Sequence, residues 1–229
     1  MKLKKIASLA LAGIMAVSML AGCNTANETP EEPNTPVVPT TSSIGDYMNN
    51  LMNGDQKKIL TFEENADLSA AVAKVAMDSG VVTPLIITDA KDTLDGTYFA
   101  NASAQKTDIA KKVKAEFKNG VIYTGLNWFN DWNGKAIDNQ EKSDSLLYVY
   151  VLSGDLSEVG VANLLYGKMG PQIGDDADKL PNTNNGDYVD YTASVAATKV
   201  SNSVNASESA WVVGVMFTRT VTNGTNTQA

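Results

Sequence analysis

Apolar positions in the body of the chain recur with two periods, and the changes from one period to the other mark its elements. Ile44, Met48, Leu51 and Met52 fall on one helical face behind Ser43, which is placed to cap the helix with Asp46 three residues on, and Gly54 is the expected stop. Leu68, Val72, Val75 and Ala76 repeat that spacing and predict a second helix from about Glu63 to Gly80. Residues 81–88 read as a strand, which Pro84 confines to an edge or a late start, and a short strand is expected through Tyr98 and Phe99. Thr107 and Asp108 open a helix carrying Ile109, Val113 and Phe117, with Asn119 and Gly120 as its stop. Strand 121–124, a long polar loop and an apolar strand from Leu146 to Leu152 follow, and then Asp155 with Glu158 as a capping pair for a helix reaching about Lys168. Beyond a loop of Asp, Asn, Pro and Gly from Gly170 to Asp187 the period becomes 2. Val189, Tyr191, Ala193 and Val195 alternate with polar residues, and Trp211, Val213, Val215 and Phe217 do so again across a Ser/Asn-rich turn, the pattern of a hairpin. This order predicts a single α+β domain over 44–222, a largely antiparallel sheet with about four helices packed on one or both faces, followed by a polar tail over 223–229.

The first residues follow a different grammar. Lys2, Lys4 and Lys5 precede an apolar run from Ile6 to Leu20 that is too short to span a bilayer, and small residues follow it directly. The stretch Leu20-Ala21-Gly22-Cys23 that closes this run resembles the lipobox of the bacterial lipoprotein family. That resemblance implies that residues 1–22 are a signal peptide, removed on maturation, and that the Cys23 sulfur carries a diacylglycerol. The mature N-terminus would then hold two or three acyl chains, and two suffice for stable attachment at about 0.8 kcal/mol per buried methylene. Asn24 is not the aspartate that favours inner-membrane retention in that family. From Cys23 to residue 43 the chain is Asn, Thr, Pro and Glu with little to bury, a lipidated tether. Pro30, Pro33, Pro36 and Pro39 recur every third residue, and in polyproline II, at about 3.1 Å per residue, such a segment reaches roughly 60 Å.

Composition narrows the chemistry. The chain has no histidine, which removes Ser-His-Asp, Cys-His and His-metal arrangements, and its one cysteine is the proposed lipid carrier, which removes thiol nucleophiles, disulfides and thiolate metal sites. Loss of the three signal lysines takes the basic count from 18 to 15 against 26 acids, a balance of −11 for the mature chain, which argues against nucleic acid as a partner. Catalysis would fall to carboxylates, lysine, tyrosine or serine, and a metal would have to be a hard cation bound by oxygen.

The sharpest candidate site runs from Tyr123 to Gly134, where Tyr123, Trp128, Asn130 and Trp132 place flat apolar faces among amide donors and acceptors, a mixture suited to a sugar ring and its hydroxyls. The competing reading is that Trp128, Phe129 and Trp132 fold back as a plug over the core. Asp175, Asp176 and Asp178, with Asn182, Asn184, Asn185 and Asp187 nearby, could gather a calcium ion, although the spacing fails the EF-hand pattern and a solvated acidic loop has the same composition. Asp89, Asp92, Asp95 and Gly96 read as a turn before a strand. Ser103 and Lys106 form an S-x-x-K without the partner motifs of penicillin-recognising enzymes. Arg219, the only arginine, is either a fork for a ligand carboxylate or phosphate, or a surface residue that protects an edge strand.

Residues 47–79, with Leu60-Thr61-Phe62 and then Leu68, Ala71 and Ala76, are similar to the opening of the secreted CAP (cysteine-rich secretory protein) superfamily, and Trp211-Val212-Val213 is similar to its closing strand. The resemblance implies an α-β-α sandwich, and the missing histidines imply that it lacks the family's metal site. Two functions follow: a non-catalytic, membrane-anchored extracytoplasmic lipoprotein that binds a glycan, peptide or cell-wall ligand, or an envelope hydrolase that uses paired carboxylates.

Overall fold

The middle of the sheet is built by residues far apart in the chain. A computed structural model describes residues 43–92, 104–126, 128–137, 142–174, 180–181, 183–184 and 187–222, and all of these belong to one compact unit. Its helices are α1 (Ile44–Leu51), α2 (Gly54–Ile59), α3 (Ala66–Ala76), α4 (Pro84–Asp92), α5 (Ala104–Ala115), α6 (Trp128–Asn133) and α7 (Glu158–Met169). Its strands are β1 (Phe62–Glu63), β2 (Val121–Tyr123), β3 (Ser143–Ser153), β4 (Thr183–Asn184), β5 (Asp187–Ser201) and β6 (Ser209–Thr222). The sheet order is β1-β5-β6-β3-β2, with β4 also paired to β5. The three long strands are antiparallel, and the short outer strands β1 and β2 run parallel to their neighbours, so the α+β expectation holds with a mixed sheet.

Both faces of the sheet are covered. Leu146, Tyr148, Tyr150 and Leu152 of β3 join Val213, Val215 and Phe217 of β6 under α1, α6 and α7, whereas Leu147, Val149 and Val151 meet α3, α4 and α5 on the other side. The period-2 alternation therefore sorts residues between two cores, and every residue from Leu146 to Leu152 is at most 3% exposed. α3 comes close because β6 offers Gly214 beneath it. A Cβ there would lie 2.7 Å from a Val72 methyl and 3.2 Å from one of Leu68. Among the described residues, no helix is long and apolar enough to cross a membrane.

Several elements differ from the sequence reading. Residues 81–88 do not form a strand: Pro84 is the first residue of α4, where a missing N–H costs nothing, and the Thr83 hydroxyl and carbonyl accept from Ile86 and Ile87. Ile86, Ile87 and Ala90 then bury one helical face. Gly54 does not close a turn but opens α2, where Asn53 and Gln56 form a reciprocal capping box. Gln56 is itself buried and donates to the carbonyls of Gly170 and Ile173 at 2.8 and 2.9 Å, which ties α2 to the segment after α7. The second helix starts at Ala66, capped by Asn65, because residues 62–63 are spent on β1. Ser157, not Asp155, caps α7. Ser43 makes no cap; its hydroxyl donates to the Glu158 carboxylate. The expected strand at Tyr98 and Phe99 lies outside the described residues.

Candidate functional site

The long polar loop of the sequence contains the six-residue helix α6, and its Phe129 and Trp132 point inward. Phe129 is 1% exposed and Trp132 not at all. Phe129 meets Phe217 edge-on with ring centres 4.9 Å apart, and Trp132 meets Tyr191 at 6.1 Å. Asn130 is exposed, two residues before Trp132 and therefore roughly 200° around the helix from it. Tyr123 on β2 is half-buried, with the Lys135 ammonium 5.4 Å from its ring centre. Trp128 opens α6, and its side chain lies outside the described residues. Trp132 and Asn130 therefore present no common platform for a sugar. For Phe129 and Trp132 the structure shows side chains folded back onto the core.

Beneath the plug lies a buried ion pair. Asp144 of β3 and Arg219 of β6 stand directly opposite each other, and Tyr191 of β5 faces Arg219 from the other side, so three polar side chains form one row across the sheet. Arg219 Nε donates to Asp144 Oδ1 at 2.7 Å and Nη2 to Oδ2 at 2.9 Å, a two-pronged pairing that the planar guanidinium allows and an ammonium does not. Nη2 also reaches the Lys135 carbonyl at 2.8 Å. Trp132 Nε1 donates to the same Asp144 oxygen at 2.9 Å, and its ring lies 4.8 Å from the guanidinium carbon. Arg219 is thus neither a ligand fork nor an edge-strand guard. It is fully buried, on a strand with neighbours on both sides, and its charge is spent on Asp144. Burial pushes the Tyr191 hydroxyl well above its ordinary value of 10.0, with the Arg219 charge opposing and the Asp144 charge adding to the shift. That hydroxyl donates to the Pro181 carbonyl at 2.7 Å.

Most of the other candidates fall outside the described residues. Asp175, Asp176 and Asp178 lie outside the described residues, as do Asn182, Asn185, Asp95, Gly96 and Ser103, while Asn184 and Asp187 belong to β4 and β5. Asp89 and Asp92 are on α4 rather than in a turn, and Lys106 is on α5. Among the described residues, no group of three acids could hold a metal ion. A hollow of about 330 Å³ opens instead between α3 and the end of α5, lined by Asp67, Lys74, Glu116, Phe117, Lys118 and Asn119 among others. Lys74 bridges it to Glu116 at 2.6 Å. In the sequence Phe117 looks like a core position and Asn119 like a helix stop. Nothing local signals the Lys74–Glu116 pairing, whose members are 42 residues apart. No family model, no curated protein and no solved structure matches the chain.

Two predictions follow from the plug. Trp132→Ala removes a fully buried ring and a hydrogen bond to Asp144, and should cost about 3–5 kcal/mol in urea denaturation; a loss below about 1 kcal/mol would mean that the ring is not part of the core. Because folding raises the Tyr191 pKa, the stability tied to its neutral form is complete below the unfolded value near 10 and is lost as pH rises through the folded value. Wild type should therefore weaken more steeply above about pH 10 than Tyr191→Phe, which has no proton there to lose. Parallel slopes in paired melts across that range would refute the assignment.

Proposed function

We propose that the chain is a lipoprotein held at the outer face of a cell membrane through Cys23, and that its body binds a glycan, peptide or cell-wall ligand without transforming it. The observation that carries the anchor is the Leu20-Ala21-Gly22-Cys23 box behind its basic and apolar segments. Binding is supported by the hollow between α3 and α5, whose volume suits a small ligand and whose lining mixes the Phe117 ring, the Asn119 amide and charges of both signs. Hydrolysis of a glycoside would need two carboxylates facing each other at about 5 Å or 6.5–9.5 Å across the scissile bond. Of the two carboxylates in the hollow, Glu116 is already engaged by Lys74, which favours binding over the hydrolase reading. A histidine-less CAP-like domain is a compatible description of the body, supported by helices on both faces of the sheet. Layering of this kind speaks to fold rather than activity.

Cys23→Ala should leave the precursor unlipidated and move the protein from the detergent phase to the aqueous phase in a Triton X-114 separation. Retention in detergent would place the anchor elsewhere. For the ligand, a glycan and muropeptide array should return hits that weaken with Phe117→Ala while the bound compounds are recovered intact. Cleaved products would turn the reading to the hydrolase, and hits indifferent to Phe117 would remove the hollow as the site.

A further inference from the structure

The end of the sheet opposite the ion pair is where the described chain begins. β3 and β5 both run toward it and finish at Ser153 and Ser201, and the turn 202–208 crosses it to β6. Ser43 is fastened there through its bond to Glu158, in the first turn of α7. The two most exposed large apolar side chains among the described residues stand at this same end: Val204, 82% exposed, and Leu85, 62% exposed. They share a junction, since Asn202 accepts from the Val204 amide and donates to the Pro84 carbonyl next to Leu85. Val159, beside Glu158, adds a third exposed apolar residue, whereas Tyr188 belongs to the opposite end, where β5 pairs with Thr222.

Val204 is held out by a built turn. The Glu208 carboxylate accepts from Thr88 of α4 at 2.7 Å, from Asn202 at 3.0 Å and from Asn205 at 3.0 Å, and these bonds, with Lys91 nearby, hold it below the usual carboxylate range. Exposed apolar residues scattered singly need no explanation, whereas Val204 and Leu85 stand together at one ordered junction, and it is adjoining apolar exposure that marks an interaction surface.

We propose that this end of the body rests on the lipid bilayer that holds Cys23, with Val204 and Leu85 entering the headgroup region. The inference depends on the lipid-anchor reading and deepens it. The 20 residues from Cys23 to Ser43 reach no further than about 60 Å even as extended polyproline II, so the surface is always present at high effective concentration and a weak contact suffices. Charge does not drive the contact. Asp155, Glu158 and Glu208 lie at this end beside Lys91 and Lys199, with no basic surplus to seek anionic lipid.

The test is backbone amide exchange on the full lipidated protein in phosphatidylcholine vesicles, compared with Cys23→Ala mixed with the same vesicles. Exchange over 84–88 and 202–208 should slow several-fold in the lipidated protein alone, with no change over 119–126 at the opposite end. The double variant Leu85→Ser, Val204→Ser should still float with the vesicles but lose the slowing. Wild type that floats without slowing would overturn the docking and leave the anchor standing. Wild type that fails to float would remove both. Slowing that appears only after cell-wall fragments are added would assign this end to a polymer instead.

Discussion

A sheet covered on both faces leaves its central strands no wet side, and the remaining structure answers to that constraint. Along the middle of β3 and β6 the side chains fill one core or the other, so a buried polar residue there is costly without a partner. Asp144 and Arg219 meet that demand across one rung of the ladder, with Trp132 and the Lys135 carbonyl as further partners, and Arg219 Nη1 alone of the guanidinium nitrogens is buried without a hydrogen bond among the described residues. Replacing such a pair with apolar residues of similar volume often costs nothing, whereas removing one member leaves a buried charge alone at about 3–5 kcal/mol. Its value here lies in register. Sliding β6 along β3 by two residues would keep every face assignment and still set the guanidinium opposite Leu146 or Lys142 instead of Asp144, so the pair distinguishes alignments that hydrophobicity alone would accept.

The local parts of this architecture were legible in the sequence. The alternation from Val189 to Phe217 identifies the hairpin, and the fourfold spacing of Ile109, Val113 and Phe117 identifies α5, because each pattern reports burial on one side of a regular element. Two local signals fit more than one element. Pro84 suits the first turn of a helix as well as a strand edge, and Asn53 with Gln56 spells a capping box in front of a glycine that looks like a stop.

What was not legible depends on pairing over distance. Asp144 and Arg219 are 75 residues apart, and no spacing in the chain announces that a lone arginine near its last strand will lie at the centre of a sheet. The same holds for the aromatic loop. Whether Trp132 faces ligand or core is decided by the Asp144 oxygen it meets, and composition around the tryptophan is the same in either case.

The position of β6 has a consequence for how the molecule comes into being. It is the last strand in the described chain, yet it separates β5 from β3, so without it the sheet falls into two fragments, β1 with β4 and β5 on one side and β2 with β3 on the other. Everything synthesised before Ser209 is therefore waiting for a piece that arrives after it. The N-terminal helices have no completed surface to dock on, and folding is deferred to a late closure dominated by contacts between distant segments, the regime in which chains fold slowly. In a chain of this design the native sheet is completed from its last described strand inward, so the two halves that β6 joins depend on one another for their stability.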